Sequence, residues 1–405
     1  MKILIANVHF SPDSFGGATV IAEETARRLR ERGHDIVVFT TTADYRMADH
    51  QLFRYESGGI PVVAIKVPPD RTTDSEYNSQ AVTDRFSQVL DAVAPDVVHL
   101  HALQALGVGL AAAAQQRGIP TVATLHDAWW LCERQFMVRQ TGEYCGQMAI
   151  DPVVCATCVP DPARAARRNR HSLELLNRCA RVLAPSRFWR DLLVASGVSD
   201  DIAQVNANGV RRPAPGWQRP PREPGPARIG YVGALSKVKG YPQLIEALVA
   251  MKRSDYELLV VDSFANLGGA SMTNADWQVP GLVRVIPGYT ADTTDEFFGG
   301  LDALVFPSQW KESYGLTVRE AALRGVWPIL SDGGGTAEHI HSGRNGTVYD
   351  RAGGVPALAA ALDDYLDRFQ ELRVDPAANE GIPTYAEQVA ELEQILREVT
   401  SPTGS

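Results

Sequence analysis

The chain is poor in cysteine, with five in 405 residues. That is too few for a disulfide framework, and in a reducing compartment clustered cysteines point to metal or redox chemistry instead. An excess of positive charge is also missing. Lys and Arg number 39 against 48 Asp and Glu, for a formal net charge of -9, so there is no basic field to draw the protein onto nucleic acid. Long apolar runs are absent too. The best of them, Gly107 to Ala114, stops at Gln115, well short of the ~18 residues of a spanning helix. The N-terminus, MKILIANVHF, enters an apolar strand without the basic region and cleavage site of a secretion signal. A cytoplasmic protein is expected. No short-period repeat is visible, and the one biased stretch is rich in proline.

What is present is ordinary globular composition, 45% hydrophobic and 21% charged, enough for two or three domains each with its own core. KILIANV, a glycine-containing loop, the amphipathic IAEETARRLRERG and DIVVFTT read as a parallel βαβ unit. The alternation recurs through PDVVHLHA, IPTVATLHD and ARVLAPS, and it restarts after residue 226 with ARIGYVGAL, YELLVVDS, LVRVIPGY, DALVFPS and VWPILSD. Between the two series, residues 211–226 contain six prolines and read as a semi-rigid linker. The expected class is therefore α/β, with two Rossmann-like domains facing across a cleft. The expected divisions are 1–210 with a cysteine-rich insertion at 132–158, the linker 211–226, a second domain 227–383, and a helix over 384–400 that packs on either domain. In such sheets, ligands sit beyond the C-terminal ends of the strands.

The most informative stretch is VFPSQWKESYGLTVREAALRGVWPILSDGGGTAEH, residues 305–339. Glu312 falls in the loop before a helix that opens near Leu316, and Glu320 falls about one turn into that helix, offset at ~1.5 Å per residue. Two carboxylates so placed can hold both ends of an extended ligand. Between them the N–H groups of Gly315, Leu316 and Thr317 lie at a positive helix terminus that favours an anion. Hydroxyls at both ends and phosphate in the middle describe a nucleotide sugar.

This segment resembles the retaining family-4 glycosyltransferases of GT-B fold, and the likeness extends to VGALSKVKGYPQLIEAL at 232–248, PDSFGGA at 12–18, TLHD at 124–127 and NANGV at 206–210. The resemblance implies that the first domain binds an acceptor and the second a nucleoside-diphosphate sugar. It gives Glu312 the donor-sugar hydroxyls, Glu320 the ribose, Lys239 the diphosphate, His126 the donor sugar and Tyr289 the base. Gly16 and Gly17, without Cβ atoms, would let backbone approach a phosphate or sugar. The family usually has an arginine where this chain has Ala234; Lys237 is the nearest substitute. His99 and His101 share one face of a strand, and His101 either reaches the acceptor or packs in the core. Asp127 is either the partner of His126 or a helix cap. Gly333, Gly334 and Gly335 would line the donor pocket, while Asn208 and Gly209 read as a turn.

The implied reaction transfers a hexose to the hydroxyl of a glycan, glycolipid or small molecule with retention, needing no catalytic cofactor. Two alternatives share these features: an epimerase acting on nucleotide sugars within the same fold, and a catalytically silent protein that binds a sugar nucleotide or a partner. No oligomer interface is legible.

Cys132, Cys145, Cys155 and Cys158 lie within 27 residues, the last two as C-x-x-C. A structural zinc is expected there, because four thiols can enclose the tetrahedral ion and fold a loop with little core; ordinary thiols or a redox pair are the alternatives. A subset of bacterial glycosyltransferases carries a similar insertion. The basic run from Arg164 to His171 reads as a solvated helix face, or as a contact for an anionic acceptor or the inner membrane surface.

Overall fold

The computed structural model describes residues 1–14, 16–267 and 269–401. The chain divides into two units. One comprises Met1–Gln135, Gly146–Gly209 and the stretch from Pro383 onward; the other comprises Phe136–Cys145 and Val210–Ile382.

In the first unit, eight strands form one sheet: β1 (Lys2–Ala6), β2 (Asp35–Thr42), β3 (Leu52–Ser57), β4 (Ile60–Lys66), β5 (Val97–Leu100), β6 (Thr121–Thr124), β7 (Arg181–Ala184) and β8 (Ala203–Val205), in the order β3-β4-β2-β1-β5-β6-β7-β8. All neighbours are parallel except β3 and β4, a hairpin. Its turn is Gly58-Gly59, with φ of 57° and 76°, the left-handed pair that a two-residue hairpin turn demands. Helices cover both faces of a parallel sheet, so β1, β5 and β6 are buried along almost their whole length and read as continuous apolar runs. Ile3, Ile5, Ala26, Leu29 and Val122 pack in one core with Val389, Leu392 and Leu396 of the C-terminal helix Tyr385–Thr400.

That helix is held at its start by close backbone approach. A Cβ at Gly209 would meet the Tyr385 nitrogen at 2.3 Å, and Gly209 N–H donates to Gln388 Oε1 at 2.8 Å. Gly209 is thus required by packing rather than by a turn. Further along, Glu393 accepts from Arg397 (2.6 Å) and from His34 Nε2 (2.9 Å), and also from Arg32. These donors overcome the burial of the carboxyl and hold it down at about 2.

In the second unit, β9 (Ala227–Val232), β10 (Tyr256–Asp262), β11 (Leu282–Pro287), β12 (Ala303–Phe306), β13 (Trp327–Ser331) and β14 (Thr347–Tyr349) form an all-parallel sheet in the order β11-β10-β9-β12-β13-β14. Strand order reverses between β1 and β5 in the first sheet and between β9 and β12 in the second. Loops part at such points and leave room for ligands.

The proline-rich stretch carries no helix or strand, yet it is not a free spacer. Arg219 donates to the carbonyls of Leu301 and Gly325, and Arg222 Nε to Asp302 Oδ1 at 3.1 Å. Those carbonyls follow the helices Thr294–Gly299 and Leu316–Leu323, where a cation complements the negative end. No helix among the described residues is long and apolar enough to cross a membrane.

Candidate functional site

In the second unit, the loops after β9 and β12 are pinned to each other. Gln309 N–H donates to Val238 O at 2.8 Å, and a Cβ at Gly240 would lie 1.9 Å from Pro307 O. With φ of 73°, Gly240 also begins the helix Tyr241–Met251, so glycine is needed there twice over. This docking sets Lys239 Nζ 2.9 Å from Glu312 Oε1, where it donates. The carboxylate is buried, the ammonium partly exposed.

Gly315, at φ 80°, caps the helix Leu316–Leu323 without a side-chain cap. The first-turn N–H groups of Leu316 and Thr317 have no carbonyl one turn earlier to meet, which leaves a positive end beside Glu312. A Cβ on Gly315 would stand 2.6 Å from Thr336 Cγ2. Glycine therefore lets the Gly333–Gly335 loop close on this terminus, and Gly335 N–H donates to Glu312 O at 2.9 Å.

Arg319 completes the joint and was not foreseen. Fully buried, it lies 3.7 Å from the Tyr314 ring centroid and donates to Tyr314 O and, at 2.7 Å, to Gly335 O. The available signal was its position three residues before Ala322, on the stripe of the helix that also buries Val318.

One turn into the helix, Glu320 accepts from Tyr289 Oη at 3.3 Å. Burial pushes its carboxyl up to about 7, with Arg324, Tyr289 and Arg211 opposing. Tyr289 stacks on Phe297, centroids 4.6 Å apart at 14°. Lys237 is exposed; its stem runs past Gly142, where a Cβ would lie 2.9 Å from Cδ. The structure thus brings Lys239, Glu312, Gly315 and Tyr289 on neighbouring loops beside Leu316, Thr317 and Glu320 of the helix Leu316–Leu323, and Lys237 stands exposed to one side of Lys239.

In the first unit, Gly16 (φ 82°) and Gly17 open the helix Gly17–Glu31. His101 and His126 follow β5 and β6, with His101 Nδ1 and His126 Nε2 2.9 Å apart. His101 is buried, which corrects any direct reach to an acceptor. Asp127 is not the histidine's partner: it accepts from Gln135 (2.7 Å), Trp129 N–H (2.8 Å) and Gln104 (3.1 Å), and burial raises its pKa.

The zinc expectation finds no support. Among the described residues no three His, Cys, Asp or Glu side chains gather as metal ligands. Cys132 is buried, and Cys145, Cys155 and Cys158 are half-buried. Cys179 lies just beyond the helix Pro162–Leu176, and burial pushes its thiol up to about 11. The basic run is only partly a solvated face, since Arg168 is buried against Tyr77 and Trp129.

Two doubly wound sheets, with a cation, two carboxylates and a helix terminus gathered at the switch point of one, define the GT-B class. Residues 15–212 match Glycosyltransferase Family 4 and residues 217–380 match Glycosyl transferases group 1. The chain is a glycosyltransferase of GT-B type and family-4 kind. It is 25% identical to glycogen synthase of Mycobacterium tuberculosis, across 93% of this chain and 87% of that one. It is 24% identical to D-inositol 3-phosphate glycosyltransferase 1 of Catenulispora acidiphila, across 86% and 83%. In fold it is similar to sucrose-phosphate synthase from Thermosynechococcus elongatus (TM-score 0.69, 15% identity, 98% of each chain). It is also similar to Anabaena HepE in complex with UDP and glucose (TM-score 0.64, 17% identity, 98% of this chain and 99% of that one).

Proposed function

We propose that the protein transfers a hexose from a nucleoside-diphosphate sugar to an acceptor hydroxyl with retention of the anomeric configuration. The observation that carries this reading is the Lys239–Glu312 pair at 2.9 Å beside the uncapped start of the helix Leu316–Leu323, with Glu320 one turn further on. A diphosphate at that terminus meets Lys239 and the first-turn N–H groups. Glu312 then accepts from sugar hydroxyls and Glu320 from the ribose.

In the transfer, the bond from the anomeric carbon to the diphosphate oxygen breaks, and a bond to the acceptor oxygen forms on the same face. The acceptor proton passes to the departing diphosphate oxygen. Lys239 and the helix terminus stabilise the charge that develops there, so catalysis rests on position and electrostatics. His126 contributes a hydrogen bond to the sugar.

The test has two stages. UDP-, GDP-, dTDP- and ADP-sugars are screened for a rise in unfolding temperature, which a ligand of the native state produces by mass action. The product made with the stabilising donor is then examined by NMR. An axial donor giving an axial linkage supports the reading, and an inverted linkage overturns it.

A further inference from the structure

Arg319 is a buried cation held by neutral groups. Its side chain is fully buried, and its hydrogen bonds go to carbonyls rather than to a carboxylate. Nη1 donates to Tyr314 O and, at 3.4 Å, to Gly315 O, while Nη2 donates to Gly335 O at 2.7 Å. The guanidinium carbon lies 3.7 Å from the Tyr314 ring centroid, and Nε–H meets no acceptor among the described residues. Burial pulls the group down from the ordinary guanidinium range, with Tyr314 and Glu338 opposing, yet a guanidinium stays protonated at pH 7.

Joining two loops does not call for a charge. Carbonyls accept equally from a neutral amide, whereas taking a cation out of water is costly unless an anion meets it. The ammonium of Lys239 is already met, by the Glu312 carboxylate at 2.9 Å. Arg319 is left with a charge still to be matched.

The carbonyls it holds show from which side. Tyr314 O and Gly315 O belong to the peptide groups whose N–H ends are those of Gly315 and Leu316, at the uncapped start of the helix Leu316–Leu323. In a trans peptide C=O and N–H point in opposite directions. A cation on the carbonyl side therefore leaves the N–H side open and polarises it, and dipoles chained in this way strengthen one another where the dielectric is low. An anion accepting from Leu316 N–H feels the guanidinium through one peptide group, with no contact between the two. We propose that Arg319 is a positioning residue for the donor diphosphate, its charge drawing that group onto the Gly315 and Leu316 amides from behind. The inference rests on the glycosyltransferase reading, which supplies the diphosphate.

Two variants separate charge from hydrogen bonding. Arg319→Gln keeps amide donors for the carbonyls and loses the charge; Arg319→Lys keeps the charge and loses the planar fork. Each full-length variant is titrated by calorimetry with UDP, GDP, dTDP and ADP, and the diphosphate that binds is compared with its monophosphate. The ratio of the two affinities is the readout, because loosened loops weaken both ligands alike and a lost charge weakens the diphosphate more. Arg319→Gln should lower that ratio on the order of tenfold, as for one unit charge acting across several ångströms of protein, and Arg319→Lys should keep it near the wild type. A wild-type ratio in Arg319→Gln overturns the proposal, as does an equal fall in Arg319→Lys.

Should the glutamine variant not fold, the lysine ratio and the guanidinium itself still decide. In ¹⁵N-labelled protein the Arg319 Nε resonance, assigned by its loss in Arg319→Lys, should shift on adding the diphosphate and stay in place with the nucleoside alone; a resonance unmoved by the diphosphate overturns the proposal. A wild type that binds a nucleoside diphosphate yet transfers no sugar sinks the functional reading and leaves the role of Arg319 standing. A wild type that binds none of the four sinks both.

Discussion

The two units solve the same problem of aiming polar groups by opposite means. In the second unit, charges of opposite sign are held by close backbone contact, with Lys239 on Glu312 and the buried Arg319 joining two loops by their carbonyls. In the first unit, His99, His101 and His126 are rings that burial keeps uncharged at pH 7 and hydrogen bonds join in a row. Charges suit a diphosphate, whose own charge must be met as it departs. Neutral rings suit a sugar hydroxyl, which asks for a directed donor or acceptor and no net field. The first arrangement should respond to charge removal and pH, and the second to changes in hydrogen bonding alone.

The largest expected effect is Lys239→Ala, which should lower kcat by ~10² to 10³, the usual cost of losing one electrostatic donor to a transition state. Lys237→Ala should leave kcat close to wild type. Steady-state kinetics on the preferred donor checks both, and a more damaging Lys237→Ala would reassign the phosphate clamp.

Next comes Arg319→Met. It leaves Tyr314 O and Gly335 O without their buried donor, at about 1 to 3 kcal/mol for a group so stranded. Denaturant unfolding should show that loss together with a raised donor KM. Unchanged stability would mean that the two loops are held without the arginine.

Glu320 should make the charged half respond to pH. Its carboxyl sits at about 7, above the ordinary 4.5, so the folded protein holds this proton more tightly than the unfolded chain. Stability from this group is therefore greatest below 4.5 and is lost as pH rises towards 7. In the proposed reading Glu320 meets the ribose as a carboxylate, so nucleotide affinity should move the other way, falling by up to roughly tenfold per pH unit below 7. Calorimetry at pH values on either side of about 7 checks the slope, and Glu320→Gln should flatten it.

An effect on stability alone is expected at Glu393, far along the chain from either set of loops. Its pKa is depressed to about 2, so its contribution is present above about 4.5 and lost as pH falls through 2. Glu393→Gln should cost about 1.5 to 3 kcal/mol at neutral pH, the range for hydrogen bonds to a charged group, and leave nucleotide affinity unchanged.

How far the sequence foretold these arrangements depended on how local each was. Glu312, Gly315 and Glu320 lie within one loop and one helical turn, so spacing alone related them. Lys239 and Glu312 are 73 residues apart, and only the family likeness linked them. The alternation of His99 and His101 was legible, but Thr124, the partner of His99 at 2.8 Å, lies on the next strand, beyond any local pattern. The hairpin of β3 and β4 was overlooked although its Gly58-Gly59 turn was in plain view. Cysteine spacing alone does not establish a metal site, because a loop's length does not dictate where its thiols point, and the prolines of 211–226 hid two arginines that bind the segment down.

The most direct test of the central claim compares free nucleotide with the intact nucleotide sugar, by titration calorimetry, on Glu312→Ala and Glu320→Ala. The account predicts that Glu320→Ala weakens both ligands, whereas Glu312→Ala leaves the free nucleotide bound as in the wild type and weakens only the nucleotide sugar. Equal loss of free-nucleotide affinity in the two variants would contradict it.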